Sequence, residues 1–163
     1  MRIGQGFDAH RLVGDRRLVL GGVEIPSSET GGRGLDGHSD GDVLLHAVAD
    51  AILGALGEGD LGRHFPSSDE SLRGIDSSQI VQRVVKMMRA DSLEVANLDA
   101  TLIAQVPRLS PHQPKMCANL AGLLETPVKR VNLKLTSTDS LGAIGREEGI
   151  AALAVVLLQP VSE

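Results

Sequence analysis

Two short stretches hold the residues whose types and spacing could do chemistry. Asp8 and His10 stand two apart in IGQGFDAHRL, while LDGHSDGDVLLHAVADAILGAL crowds Asp36, His38, Asp40 and Asp42 ahead of His46 and Asp50. On a helix Asp42, His46 and Asp50 fall at i, i+4 and i+8 and share one stripe. Such a stripe is ordinarily a solvated surface. A His between two carboxylates is less ordinary, because a carboxylate can take one ring N–H and leave the other nitrogen free as a metal ligand or acid/base. On a strand, Asp8 and His10 point to one face. Alone that pair reads as an exposed edge; joined to His46 it becomes an Asp/His/His set with the composition of an open zinc site. Three protein ligands leave a fourth position for a substrate oxygen, the mark of a catalytic rather than a structural zinc.

The elements that must position these residues follow from periodicity. Val43, Leu44, Ala47, Val48, Ala51, Ile52 and Ala55 recur at helical spacing, with Asp40 or Asp42 as N-cap, so a helix is expected to Leu56. Asp42 and Asp50 are expected to orient His46 or cap that helix. Arg2 to Leu12 is a first strand. RLVLGGVEI, residues 17–25, is a hairpin around Gly21-Gly22. Pro26 to Gly34 is expected as a mobile loop, suited to a lid, and Glu58 to Asp69 as a loop closed off from the helix by Gly57 and Gly59. A second helix spans Ser77 to Ala90 and a strand Leu93 to Gln105. A third helix starts with Ser110 as N-cap and Pro111 at N1 and runs to about Glu125. Val128 to Thr136 alternates as a strand and ends in the hydroxyl-rich turn Ser137-Thr138-Asp139, whose amides and hydroxyls suit phosphate oxygens and whose carboxylate suits Mg²⁺ held mainly by phosphates. Arg146 is a candidate anion clamp. Gly149 to Leu158 is a last, nearly all-apolar strand.

These elements describe one domain, residues 1–163, of α+β class: a two-layer α/β sandwich with a mixed four-stranded sheet, a small hairpin and three helices on one face. The uncovered sheet face would be closed by identical subunits. At 42% hydrophobic residues the chain can build a core, but aromatics are 1%, only Phe7 and Phe65, so aliphatic residues must fill it. The lack of stacking platforms and the net charge of −5 argue against nucleic acid. Cys117 is the only cysteine, which excludes an internal disulfide and a cysteine-based zinc cluster; it is expected to be buried and structural. His64 is expected as structural or exposed, and His112, in the first turn of the third helix, as exposed rather than a ligand. The apolar run Ile150 to Leu158 is shorter than the roughly 20 residues needed to cross a bilayer, and the N-terminus has no apolar core of signal-peptide length, so no membrane role and a cytoplasmic location are expected.

IGQGFDAHRL, GHSDGDVLLHAVADAILGA, LGRHFPSSD, AQVPRLSPH and TSTDSLGAIGREEGIA occur in an order and spacing that resemble the 2-C-methyl-D-erythritol 2,4-cyclodiphosphate synthases of the non-mevalonate isoprenoid pathway. The likeness covers essentially the whole chain, and the D-x-H plus H-S-D-G-D-x-x-x-H combination is highly specific. It implies a homotrimer with sheets facing the threefold axis and an active site at each subunit interface. Asp8, His10 and His46 fall on its Zn²⁺ ligands and Asp139 on the carboxylate that holds Mg²⁺ or Mn²⁺. His38 and Ser39 fall on the loop that contacts the methylerythritol phosphate. Asp60, Leu61 and Gly62, with Phe65, Pro66, Ser67, Ser68 and Asp69, fall on the polyol pocket. Ala104, Gln105, Val106, Pro107, Arg108, Leu109 and Ser110, with Leu135, Thr136, Ser137, Thr138 and Asp139, fall on the cytidine and diphosphate pocket. Phe7, Ala143, Arg146 and Glu148 fall near the threefold axis, where members of the family can hold an isoprenoid diphosphate. The chain departs from the common pattern with Asp139 for Glu, Ser137 for Thr, Ala143 for Phe and Gln5 for His.

The implied reaction is intramolecular. The 2-phosphate of 4-diphosphocytidyl-2-C-methyl-D-erythritol 2-phosphate attacks the β-phosphorus, CMP leaves and a cyclic diphosphate closes. A phosphate monoester is largely dianionic at neutral pH, its second pKa being about 6, so no strong base is required. His38 and Ser137 are implied to position phosphate oxygens. Two rivals use the same residues: a zinc-dependent phosphoesterase, which would release open-chain phosphates, and a non-catalytic trimer that binds isoprenoid diphosphates around Arg146.

Overall fold

A computed structural model describes residues 1–161; residues 162 and 163, the end of the expected single domain, lie outside the described residues. The chain runs β1 (Arg2–Gly14), β2 (Leu18–Leu20), β3 (Val23–Ile25), α1 (Ser27–Thr30), β4 (Arg33–Leu35), α2 (Val43–Leu56), α3 (Leu61–His64), α4 (Ser77–Ala90), β5 (Leu93–Ile103), α5 (Gln113–Leu123), β6 (Val131–Thr136), α6 (Gly142–Gly145) and β7 (Gly149–Pro160). Single 3-10 turns cover Glu70–Leu72 and Val128–Arg130.

The main sheet has five strands in the order β4-β1-β7-β5-β6, antiparallel except for the β5–β6 pair. The α+β class and the mixed sheet therefore stand, but the expected four strands are five. Arg33–Leu35 add an edge strand to Leu12–Gly14, and the stretch expected as a mobile loop folds as α1 and β4. β4 carries only three residues with no alternation long enough to read, so its pairing partner alone makes it a strand. The three expected helices are joined by three one-turn helices, α1, α3 and α6. The third long helix begins at Gln113 with His112 in the N-cap position and no side-chain cap, two residues later than Ser110-Pro111 implied. Cys117 is half-buried at the core's edge rather than buried within it. Among the described residues no helix is long and apolar enough to cross a membrane.

α2 is the centre of the core, with eleven of its residues buried, including Leu44, Leu45, Val48, Ile52 and Leu53. It lies almost directly on β1. A Cβ at Gly4 would stand 1.9 Å from the carbonyl oxygen of Ala51, and one at Gly6 2.0 Å from that of Ala47. The G-x-G of the strand and the small residues Ala47, Ala51 and Ala55 of the helix thus let two backbones touch. α4 seals the other flank of α2 with Ile80, Val81, Val84, Val85 and Met88.

The helix start is fixed by Asp42, which is fully buried. Its Oδ1 accepts from the backbone N–H of Leu44, Leu45 and Gly21, and its Oδ2 accepts from Gly22 at 2.7 Å. Gly21 and Gly22 have φ of 59° and 70°, the pair of left-handed residues a two-residue hairpin turn demands. One carboxylate therefore caps α2 and docks the β2–β3 turn on it. Burial pushes the Asp42 carboxyl up to about 6, against the pull of the Gly22, Leu45 and Gly21 amides and with the push of the Asp40 charge.

Candidate active site

The close packing of β1 on α2 sets the site. Residues 4, 6, 8 and 10 of β1 face the helix; where Gly4 and Gly6 give way to Asp8 and His10, the gap between strand and helix is filled by polar side chains, and His46 reaches into it from the first turns of α2. Asp8 Oδ2 lies 2.8 Å from His10 Nε2 and 2.8 Å from His46 Nδ1, and the two nitrogens are 3.1 Å apart. These three are the one group among the described residues whose ligand atoms converge on a common point. The arrangement fits a small divalent ion. Ligands at the usual zinc distances stand roughly 3.3 Å apart on the edges of a tetrahedron, so the three atoms need open only slightly. Burial disfavours the Asp8 carboxylate, yet hydrogen bonds and charge from His10 and His46 outweigh it and hold the carboxyl well below the usual range. Burial likewise disfavours a charged His10, yet the Asp8 hydrogen bond and charge, with a smaller contribution from Asp36, raise its pKa.

Of the two roles expected for Asp42 and Asp50, orienting His46 or capping the helix, Asp42 takes the cap, while Asp50 lines the cleft beside His46 without bonding to it. Asp50 accepts the backbone N–H of Leu61 at 3.0 Å. The second ring nitrogen of His46 meets two hydroxyls instead, Ser39 Oγ at 2.9 Å and Ser77 Oγ at 3.0 Å. Nothing local marks Ser77. It is the first residue of α4, thirty-one positions from His46.

The ligand cluster opens into a cleft of about 450 Å³. His38, Ser39, Asp60, Leu61, Gly62, Phe65 and Ser67 line it together with Asp8, His10 and His46, and Leu72, Ile75 and Ile80 give it an apolar wall. Among the expected contact residues, Pro66, Ser68 and Asp69 lie beside this lining rather than in it. The Asp69 backbone oxygen sits 3.1 Å from His38 Nε2. Asp60 holds the Arg63 N–H and so starts α3. The loop carrying His38 and Ser39 is strapped down: the Arg16 guanidinium donates to Asp36 Oδ1 and to the backbone oxygens of Gly37 and Ser39.

A second hollow, of about 410 Å³, is lined by Ala104 to Ser110 and Leu135 to Ser137, and shares no residue with the first. Its far lip is the Ser137–Ser140 turn. Ser137 Oγ donates to Asp139 Oδ1 at 3.2 Å, Ser140 N–H donates to Gln105 Oε1, and Asp139 has a left-handed φ of 49°. Thr138 Oγ1 donates to the backbone oxygen of Leu141. Ala143 and Arg146 belong to neither hollow, and Arg146 pairs with Glu148 at 2.6 Å. His112, expected on the surface, is held by the Glu29 carboxylate at 2.9 Å.

The chain matches the model of the YgbB family over residues 1–159. A 2-C-methyl-D-erythritol 2,4-cyclodiphosphate synthase of Geobacillus sp. (strain WCH70) is 55% identical over 97% of this chain and 98% of its own length. The enzyme of the same name from Geotalea daltonii is 54% identical over 98% of this chain and 91% of its own. Among solved structures, the bifunctional IspDF of Campylobacter jejuni superposes with a TM-score of 0.92 at 38% identity; it covers 99% of this chain, which spans 42% of that longer protein. The CDP complex of Plasmodium falciparum IspF superposes with a TM-score of 0.84 at 31% identity over 99% of this chain and 97% of that one. Sequence and fold lead to one conclusion: the chain belongs to the YgbB family, the family of the 2-C-methyl-D-erythritol 2,4-cyclodiphosphate synthases.

Proposed function

We infer that this chain converts 4-diphosphocytidyl-2-C-methyl-D-erythritol 2-phosphate into 2-C-methyl-D-erythritol 2,4-cyclodiphosphate and CMP. The observation that carries the reading is the convergence of Asp8, His10 and His46 at the head of a cleft with both polar and apolar walls, in a chain 55% identical to a synthase of that name. An oxygen of the 2-phosphate bonds to the β-phosphorus, the bond from that phosphorus to the CMP oxygen breaks, and CMP leaves with the electron pair. The obstacles are repulsion between anions and the entropy of closing the ring. Asp8, His10 and His46 would hold Zn²⁺, and Asp139, with the substrate's diphosphate, Mg²⁺ or Mn²⁺; bound there, the ions draw charge from the diphosphate oxygens. The chain's own part is positioning, which in favourable cases supplies roughly 7–11 kcal/mol of a barrier. His38 and Ser137 orient phosphate oxygens. Asp60 to Gly62 and Phe65 to Asp69 take the polyol, and Ala104 to Ser110 with Leu135 to Asp139 take the cytidine diphosphate, the nucleotide that the Plasmodium falciparum structure holds.

The two hollows share no lining residue, which supports a site completed by a neighbouring copy. The outer face of the sheet supports the same assembly. Ile3 is 71% exposed, Phe7 58% and Val155 39%, all on the side away from α2. A homotrimer with these faces toward its axis would cover them and leave room near Phe7, Ala143 and Arg146 for an isoprenoid diphosphate. Phosphorus NMR of the protein with the cytidyl substrate, Mg²⁺ and Zn²⁺, beside His46→Ala, tests the activity. A cyclic diphosphate and CMP, both lost in the variant, is the expected result. Open-chain phosphates would show a phosphoesterase, and isoprenoid diphosphate binding without turnover a sensor.

A further inference from the structure

We propose that Ser77 and Asp40 form a hydrogen-bonded support that fixes His46 in the tautomer a metal ligand requires, so that both are positioning residues of the metal centre. The inference rests on the reading that Asp8, His10 and His46 hold a metal, and extends it to two residues that offer no ligand atom.

Counting hydrogens carries the argument. A serine hydroxyl has one hydrogen to give and two lone pairs to receive with. The hydrogen of Ser77 is committed, because its Oγ lies against Asp40 Oδ1, an oxygen of a carboxylate that only accepts. Toward His46 Nε2, 3.0 Å away, Ser77 can therefore only accept. Ser39 Oγ, the other oxygen at that nitrogen, receives the Gly41 N–H at 3.1 Å and has Ser77 Oγ at 3.3 Å as a partner for its own hydrogen, which leaves it a lone pair to turn toward the ring. With both oxygens accepting, Nε2 keeps the ring's hydrogen when a metal displaces the proton that Nδ1 shares with Asp8, and the neutral ring then offers the metal its Nδ1 lone pair. Nδ1 is the atom that faces Asp8 Oδ2 and His10 Nε2.

The support is rigid. Ser77 is wholly buried. Asp40 Oδ2 accepts the Ser77 backbone N–H at 3.1 Å, Asp40 Oδ1 accepts that of Asp42, and the Asp40 N–H donates to the Ile75 oxygen. The carboxylate that directs the serine is thus held from both flanking segments. The start of α4 does not need the Ser77 hydroxyl, since Asp76 caps it through the Ser78 N–H. Neither Ser77 nor Asp40 lines the cleft, so neither reaches substrate. What remains for the hydroxyl is the ring nitrogen behind the ligand atom, where a hydrogen-bond acceptor sets orientation and basicity.

Zinc affinity measured by competition with a chromophoric chelator tests this. Loss of such a contact should weaken binding about 10- to 100-fold in Ser77→Ala, while Ser77→Thr, which keeps the hydroxyl, binds as the unaltered protein does. Asp40→Asn should weaken zinc as well, because its amide can donate to Ser77 and release the serine hydrogen toward Nε2. Ring nitrogen NMR of zinc-loaded protein should show protonated Nε2 on His46. Melting of the metal-free variants separates a general folding defect from loss of the metal site. Unchanged affinity in Ser77→Ala overturns the proposal; should that variant fail to fold, unchanged affinity in Asp40→Asn does so. Failure of the unaltered protein to bind zinc would instead overturn the metal reading itself.

Discussion

His10 Nε2 and His46 Nδ1 face each other across 3.1 Å, with their rings inclined at 62° and one oxygen of Asp8 2.8 Å from both. Three atoms with lone pairs, brought this close by a strand and a helix, call for a shared cation. His46→Ala should therefore lose stoichiometric zinc and about 10³-fold or more in turnover, since a Lewis acid on a phosphoryl oxygen is worth several kcal/mol. Chelation should do the same reversibly. His112→Gln, which disturbs only the pair with Glu29, should retain zinc and turnover. Full zinc content in His46→Ala would refute the assignment.

The same cluster makes stability depend on pH in a way that metal reverses. Without metal, His10 has a folded pKa raised above 6.5, burial being outweighed by the Asp8 hydrogen bond and charge. Its contribution is full below 6.5 and is lost as pH rises through the folded value. Asp8 has a lowered pKa, so its contribution is present above 3.8 and is lost as pH falls through the folded value in strong acid. Metal-free protein should accordingly melt lower at about pH 8 than at about pH 6, and His10→Gln should shrink the difference. Zinc-loaded protein should show the opposite order, because protons compete with metal for the same atoms. Paired thermal melts with and without a chelator decide it; a metal-free melt that rises from pH 6 to 8 would contradict the shift in His10.

Much of this was legible in the chain, for reasons that differ by element. α2 could be read because its apolar period spans fourteen residues and its cap is an Asp, and Asp8 and His10 because strand alternation puts both on one face. The third long helix was misplaced at its start because Ser110 and Pro111 mimic a cap that His112 occupies without a side-chain bond. β4 was invisible because three residues have no period, and only Leu12 to Gly14 make them a strand. Ser77 escaped for a deeper reason. Its tie to His46 spans thirty-one residues and exists only once α4 packs on α2. For Asp42 and Asp50 the spacing left two roles open, orienting His46 or capping the helix, because a shared stripe does not show what lies opposite; Asp42 caps α2, and Asp50 holds the Leu61 N–H.

The backbone contact between β1 and α2 makes Gly6 a sensitive position. An Ala Cβ there would meet the Ala47 carbonyl oxygen at 2.0 Å, and a backbone atom cannot swing aside as a side chain does. Gly6→Ala should cost about 3 kcal/mol or more, and any folded fraction should bind zinc weakly, because the helix bearing His46 must move away from the strand bearing Asp8 and His10. Gly14→Ala, where nothing lies within 4 Å of the added carbon, should stay within roughly 0.5 kcal/mol. Denaturant unfolding of the two variants makes the comparison, and equal stability would disprove the close approach.

Assembly and metal binding should come apart. Asp8, His10 and His46 all belong to one chain, whereas the hollow of Ala104 to Ser110 is separate from the cleft they head. Charges placed on the outer sheet face, as in Ile3→Asp with Val155→Asp, should prevent the proposed homotrimer from forming, since an unpaired carboxylate in an apolar contact costs several kcal/mol. Light scattering should then report monomers, zinc content should stay near one per chain, and cyclisation should fall steeply if, as proposed, a neighbouring copy supplies the nucleotide end of each site. A double variant that remains trimeric, or a monomer that still cyclises at the normal rate, would place the nucleotide and the metal within one chain and remove the reason for the assembly.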